Sequence, residues 1–463
     1  MNLVERLVAR RVGRGVRSGE FVSLRPDHVL THDNTAAVLL KFRALGARRI
    51  YDARQPVFAL DHDIQNQSQA NLNKYKTIEA FASEQGVAFY PAGRGIGHQI
   101  MIEEGFAFPG TFCVGADSHS NMYGGIGCLG TPVVRTDAAG IWATGSTWWQ
   151  VPLVVRIELH GTLRTGVTGK DVILALCGLL NRDEVLNKAV EFTGPGIESL
   201  SVDDRLSIAN MTTEWGAQTG TFPIDSKVFE WVEQRIKALK DKGVSNHSRV
   251  NFDRLAALER DFPRADPYAL YFKTYRVDLS SISPLVTGPD TVKKVQSVHE
   301  LERQNIRVDK AYIVSCVNSR ASDLESAAQV LRGKKIAPGV ELYVAAASSE
   351  VQEQSETSGA WKAIVDAGAV VLPAGCGPCI GMGAGLLKDG EVGISATNRN
   401  FKGRMGSRNA QAYLGTLCSL GLSFLREQSF SCCCRCICSC WENLFSKFLG
   451  KRHGKFQLQG RHH

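Results

Sequence analysis

The stretch Ala374-Gly375-Cys376-Gly377-Pro378-Cys379-Ile380-Gly381 sets two thiols two residues apart, between glycines and a proline. It follows the apolar run Ala369-Val370-Val371-Leu372, which reads as a buried strand. A third cysteine, Cys316, follows a similar run, Ala311-Tyr312-Ile313-Val314. In open α/β sheets, ligands collect at the carboxyl ends of strands. A structural zinc site wants a fourth protein ligand, and a cubane iron-sulfur cluster is usually held by four cysteines. Three cysteines on such a cluster leave one iron open as a Lewis acid. The plainer readings are a redox C-x-x-C pair or thiols that are merely buried.

Other reactive side chains also follow apolar runs. Val57-Phe58-Ala59-Leu60 leads into Asp61-His62-Asp63, and Phe112-Cys113-Val114 leads into Asp117-Ser118-His119. A glycine-loosened loop, Gly93-Arg94-Gly95-Ile96-Gly97, ends at His98. A carboxylate beside an imidazole orients the ring and raises its basicity, which suits proton transfer near neutral pH. One such pair alone is more often a cap or a turn. Glycines at 124, 125 and 127 let the backbone turn tightly or approach a ligand closely. One α/β architecture could aim all these loops at one cleft.

Elements between the loops are legible from periodicity. Thr168–Leu180 reads as an N-capped helix with Asp171 in its first turn. Asn210 and Glu214, four apart, would share a helical face. Residues 225–275 are charged and helical in period, and 278–284 look like a linker. Asn318 and Ser319 are plausible caps for a helix over 322–331. Arg399 and Arg404 sit in a polar loop, where bidentate forks suit carboxylates.

Bulk composition excludes several classes. The chain has 463 residues, 44% hydrophobic and 22% charged, the profile of an ordinary folded protein. Net charge is +8, but residues 1–20 contribute +3 and 415–463 contribute +5, so the body between them sums to zero. A nucleic-acid-binding face on the body has no support. Of 13 cysteines, seven lie after residue 414, six of them within 432–440; the body holds six, dispersed, and is no disulfide framework. No apolar run reaches the roughly 18–20 residues of a membrane span. The Arg-rich start hints at a transit peptide, although Leu3, Val4, Leu7 and Val8 also read as an ordinary first helix.

Taken together, these motifs, with Asn398-Arg399-Asn400-Phe401, resemble the aconitase superfamily from about residue 20 to about 413, in order and spacing. Leu60-Asp61-His62-Asp63-Ile64-Gln65-Asn66, Thr147-Trp148-Trp149-Gln150 and the stretch from Ala209 to Gly216 narrow the likeness to its fungal homoaconitase branch. The resemblance implies a three-domain α/β/α body with mostly parallel sheets: 1–163, 164–283 and 284–414. Cys316, Cys376 and Cys379 would bind one [4Fe-4S] cluster per chain. A small tricarboxylate would be the substrate, in the exchange of homocitrate, cis-homoaconitate and homoisocitrate on the α-aminoadipate route to lysine. His62, oriented by Asp61, would protonate the departing hydroxyl. His98 with Asp117 and His119 with Glu214 would be further acid-base pairs. Ser118, Arg399 and Arg404 would hold carboxylates; Asn210, Asn318 and Asn398 would support the cluster. A monomer in the mitochondrial matrix is implied, with no nucleic-acid partner.

The likeness fades after Tyr413. The family's fourth domain supplies a serine base and further arginines, whereas residues 415–463 form a short Cys-rich tail. That tail reads as a disordered product of a truncated or shifted reading frame; lipidation and metal binding are the alternatives. At Ala37 the chain departs from aconitases proper, which carry a substrate-contacting glutamine in that region, so citrate is disfavoured. An isopropylmalate-isomerase-like or aconitase-like large subunit is the neighbouring reading, and a non-catalytic or RNA-binding relative the distant one.

Overall fold

The computed structural model describes residues 1–416, apart from the side chains at 299 and 302. The tail readings fall on 417–463, outside the described residues. Gly415 itself closes a strand, Gln411–Gly415.

Three α/β sheets carry the chain in sequence order. The first has five parallel strands, in the order Ala88–Tyr90, Pro56–Ala59, His28–Thr31, Phe112–Gly115, Leu129–Pro132. The second has four parallel strands: Thr219–Thr221, Ala189–Thr193, Val154–His160, Lys273–Asp278. The third runs Val295–Ser297, Leu285–Thr287, Gln411–Gly415, Val392–Ser395, Lys310–Ile313, Glu341–Val344, Val370–Val371. Leu285–Thr287 pairs antiparallel with both its neighbours, and the remaining pairings are parallel. A small antiparallel ribbon, Phe21–Leu24 with Thr147–Gln150, stands apart. Among the described residues, no helix is long and apolar enough to cross a membrane.

Strand order places the chemistry. In the first sheet the chain leaves His28–Thr31 in one direction, then returns to its other side at Phe112–Gly115. The third sheet does the same at Lys310–Ile313 and Val392–Ser395. Loops at such a reversal diverge to opposite faces and open a crevice at the carboxyl ends. The four loops there carry His32, Asp117–His119, Cys316 and Asn398–Arg399.

Several local expectations are corrected. Val370–Val371 forms a strand, but at the sheet edge, with both side chains exposed; only Leu372 is buried. Helix Val202–Met211 ends before Glu214, which lies in the following turn, so Asn210 and Glu214 share no helical face. The helix Ala321–Leu331 is capped by Asp323 reaching back to the Arg320 N–H, not by Asn318 or Ser319. Ser319 instead donates to the Ser315 carbonyl. Residues 225–275 give two helices, Ser226–Asp241 and Phe252–Arg260, and then an irregular approach to strand Lys273–Asp278. His98 ends no loop; it lies in the first turn of helix Gly97–Glu103. Helix Gly169–Leu179 carries the expected cap at Thr168 and Asp171 in its first turn.

The glycine-rich turn after His119 meets protein backbone rather than a ligand. A Cβ on Gly124 would lie 1.6 Å from the Gly220 carbonyl oxygen, and one on Gly125 2.6 Å from the Leu206 Cα and N. The first and second sheets are thus joined backbone to backbone. Gly124→Ala is expected to cost more than about 4 kcal/mol and to leave no cooperative thermal transition at 25 °C or above, because no side-chain adjustment relieves a clash with a carbonyl.

The first helix, Leu3–Val12, buries Leu3, Val4, Leu7 and Val8, as its spacing predicts. It docks on the second sheet through Glu191, whose carboxylate accepts the Leu3 N–H and the Tyr271 hydroxyl, both at 2.8 Å. Burial pushes the Glu191 carboxyl up from 4.5 to about 7, against the pull of those two donors. The ionised form is therefore a liability of roughly 3 kcal/mol. Below pH 4.5 both folded and unfolded states hold the proton and nothing is lost. The penalty accumulates as pH rises towards 7. In urea titrations, Glu191→Gln should gain stability relative to the parent as pH rises through that window, and should show no such gain at pH 4.

Candidate active site

The first sheet contributes an imidazole that sequence reasoning missed. His32, fully buried, donates Nδ1–H to the Asp61 carboxylate at 2.8 and 2.9 Å. Asp61 also accepts the Gly97 N–H at 2.7 Å. Asp61 therefore orients His32, and its contact with His62 is looser, 3.8 Å. His62 is held instead by stacking on His32, ring centroids 4.6 Å apart and planes within 8°. The reason is geometric: adjacent residues in extended chain point apart, so an Asp-His dipeptide rarely pairs with itself. Burial opposes the His32 imidazolium, but the Asp61 carboxylate prevails, with Asp117 and Asp33 behind it, and the pKa is pushed up to about 9. Its Nε2 is buried with no partner among the described residues. The segment that includes Ala37 thus presents His32 to the site, one residue after its strand. The signal was the same acid-imidazole pattern in reverse order, His32-Asp33, behind a run of only two apolar residues. Asp33 accepts the N–H groups of Asp61, His62 and Asp63, and so shapes that loop.

The two other expected pairs are formed. His98 bonds Asp117 through Nε2 at 2.8 Å and Tyr123 through Nδ1 at 2.9 Å. Burial depresses the His98 pKa despite Asp117. A neutral ring has one N–H, so it donates to Asp117 and accepts from the Tyr123 hydroxyl. Asp117 also accepts the His119 backbone N–H at 2.9 Å; burial opposes its charge, but the His119 and His98 side chains hold it well below the carboxylate range. His119 Nε2 meets Glu214 at 3.0 Å, and the same Glu214 oxygen accepts Arg399 Nε–H at 2.6 Å. Ser118 Oγ lies 3.4 Å from His119 Nδ1. Arg404 rests its guanidinium 5.6 Å from the Phe401 ring centre, with a buried, unpartnered Nε.

The thiols come next to this set. Cys316 and Cys379 are buried and Cys376 half-buried, and among the described residues none is in a disulfide. Asn210 donates to Cys316 Sγ at 3.1 Å. Asn398 spans two sulfurs, with Nδ2 3.7 Å from Cys316 Sγ and Oδ1 3.6 Å from Cys379 Sγ. Asn318 does not reach a sulfur; it bonds Asp323 at 2.9 Å. Ser315, just before Cys316, has φ of 119°, a costly conformation for a side-chain-bearing residue. Its hydroxyl accepts the Val317 N–H, and its carbonyl the Ser319 hydroxyl, which hold the turn. Cys376 Sγ lies 4.0 Å from Asp61 Oδ2, joining thiols to imidazoles.

Do these residues suit an iron-sulfur cluster? Burial pushes the Cys316 thiol up to about 12 and raises Cys376 and Cys379 too; neighbouring charge raises Cys316 and Cys376 further, whereas Arg404, Asn398 and Arg399 partly offset the rise at Cys379. Such thiols give up their protons only to a metal. A lone zinc ion, with bonds of about 2.3 Å, would need all three sulfurs close together. Among the described residues, the groups whose ligand atoms all lie within 4.8 Å are His32–Asp61–His62 and His32–His98–Asp117, with no cysteine. Wider-set sulfurs with amide donors fit a cluster that gives each thiolate its own iron.

The Aconitase family (aconitate hydratase) pattern matches residues 5–417. A protein named mitochondrial homoaconitase in Yarrowia lipolytica is 60% identical over 420 residues, 90% of this chain and 60% of its own length. Its namesake in Mycosarcoma maydis is 60% identical over 430 residues, 90% of this chain and 58% of its own. The chain thus spans about 60% of the relatives it matches. Among solved structures, the holo form of Thermococcus kodakaraensis aconitase X aligns with a TM-score of 0.46 at 10% identity, covering 86% of this chain and 89% of that one.

Gly97 tests the imidazole geometry. A Cβ there would lie 2.9 Å from His32 Cε1 and 3.2 Å from Ala59 Cβ. In a free helix alanine would be favoured by about 1 kcal/mol. Gly97→Ala should instead lose about 1–3 kcal/mol. In NMR titration the His32 imidazole should drop well below the parent value as its Asp61 bond is strained.

Proposed function

The chain belongs to the aconitase family, and from that premise we propose that it is the cluster-bearing body of a homocitrate–homoisocitrate hydro-lyase. One observation carries the reading: three cysteines, two buried and one half-buried, and three imidazole–carboxylate contacts, drawn from three sheets, meet at one crevice. The identity of 57–60% to proteins named homoaconitase supports this substrate class over isopropylmalate or citrate. Their names also support a mitochondrial location.

In this reading Cys316, Cys376 and Cys379 hold one [4Fe-4S] cluster. When bound, it supplies a Lewis acid at the iron that no cysteine holds. Everything else is done by the chain. Asn210 and Asn398 both donate to the Cys316 sulfur and fix its position, and the Asn398 carbonyl oxygen faces Cys379; Asn318 acts one step further out, through Asp323. His62 delivers a proton to the departing hydroxyl, and His32, clamped by Asp61, sets the plane of its ring. His98 enters the cycle neutral, so it can accept a proton that Asp117 then stabilises. His119 is braced by Glu214 in the same way. Ser118, Arg399 and Arg404 bind substrate carboxylates. Arg399 is already engaged with Glu214, so a bound carboxylate would compete for its fork and release charge onto His119. The resemblance assigns the base at carbon and further arginines to a fourth domain.

The test is anaerobic reconstitution with iron and sulfide, followed by hydration of cis-homoaconitate. It is run on the chain and on a fusion that adds the fourth domain of a homoaconitase relative. Both should gain cluster absorbance, and Cys316→Ser, Cys376→Ser and Cys379→Ser should each lose it. Turnover by the fusion should exceed that of residues 1–463 by on the order of a hundredfold, the weight of one general base, because the resemblance assigns that base to the added domain. Absence of a cluster with all three cysteines intact would sink the reading, as would turnover of an isopropylmalate-type substrate in preference.

A further inference from the structure

Behind the cysteine pocket lie two buried cations with no close carboxylate partner. Lys170, in the first turn of helix Gly169–Leu179, is fully buried. Its Nζ donates to the Thr397 carbonyl at 2.8 Å, and it forms no ion pair among the described residues. The nearby acids are occupied: Asp171 accepts from Thr168 and Leu285, and Asp323 from Asn318 and Arg320. The second cation is Arg320, which donates to the Cys316 carbonyl at 2.7 Å; its Nε is buried without a partner, and its Asp203 contact is 3.9 Å.

A bare ammonium in a dry interior is costly, and the helix N-terminus adds positive potential to it. Burial accordingly drags the Lys170 pKa down to about 7. A fold that keeps such a charge in place needs an anion there. Asp171 and Asp323 favour the ammonium, but both are already taken up by other donors; the Cys379 sulfur favours it too, and Thr397 precedes Asn398, the amide that spans Cys316 and Cys379. Three thiolates on an iron-sulfur cluster leave the assembly net negative.

We propose that Lys170 is the buried counter-cation of the cluster, a positioning residue that sets how firmly the cluster is held and at what potential it is reduced. The proposal rests on the cluster reading above. Net charge and solvent exposure govern such potentials, and the ammonium is tied to the Thr397 carbonyl, one residue before Asn398. Arg320 adds to the same field from the Cys316 side.

Three variants separate charge from shape: Lys170→Met, Lys170→Gln and Lys170→Arg, each compared with the parent, apo and reconstituted. Lys170→Met should melt at the same or a higher temperature as apo protein, since an unpaired buried charge has gone. Once loaded, it should show a more negative cluster reduction potential by EPR-monitored titration. Chelator-driven bleaching should be faster on the order of tenfold, the size of a unit-charge interaction at this kind of distance and dielectric. Lys170→Gln, which keeps a donor for Thr397 without the charge, should behave like Lys170→Met and replaces it if that variant does not fold. Lys170→Arg should match the parent in potential. Neutral variants with the parent's potential and bleaching rate would overturn the proposal while leaving the cluster reading intact. A parent that takes up no cluster would remove both.

Discussion

Asp61 is the tie on which the site depends. It is fully buried, and every face of it is used. Its carboxylate takes the His32 ring and the Gly97 N–H, its backbone N–H goes to Asp33, and its carbonyl accepts the Cys376 N–H at 2.7 Å. One residue at the end of a first-sheet strand therefore fixes an imidazole, the start of the His98 helix and a thiol loop of the third sheet. In a dry interior each of these donors would be expensive to strand. The proton-handling half and the sulfur half of the crevice are consequently one structure.

A second line of contacts runs from Tyr123 through His98, Asp117, His119 and Glu214 to Arg399. Donors and acceptors alternate along it, and opposite charges are neighbours. Each of these side chains is thereby held by the next, so displacing one would strand a partner in the crevice.

Much of this was legible before any coordinates. Short apolar runs followed by Asp-His, Asp-Ser-His or Cys identified loops at strand ends, and strand order then explains why those loops converge. The partners of the side chains were less legible. The Asp61–His62 neighbourhood in sequence suggested a pair, yet the true pair joins two loops 29 residues apart. Helical spacing suggested a common face for Asn210 and Glu214, yet the helix stops between them. Periodicity reports local geometry; it carries no information about which loop lies across the crevice. Val370–Val371 shows the same limit, since an apolar pair reads alike in a sheet centre and at an edge. The buried charges Lys170 and Arg320 gave no signal at all, because a basic residue in a helix start is ordinarily solvated.

The backbone-to-backbone contact at Gly124 and Gly125 has a mechanical meaning. With no side chains between them, the Gly124 turn and strand Thr219–Thr221 have nothing that can repack, slide or change rotamer. Hinge and shear motions work by exchanging side-chain packings, and this seam offers none to exchange. The rim carrying His32, His62, His98 and His119 and the rim carrying Glu214 thus form a rigid anvil. Whatever compliance admits a ligand is left to the opposite wall, where Asn398 to Arg404 runs past the solvent-facing Phe401.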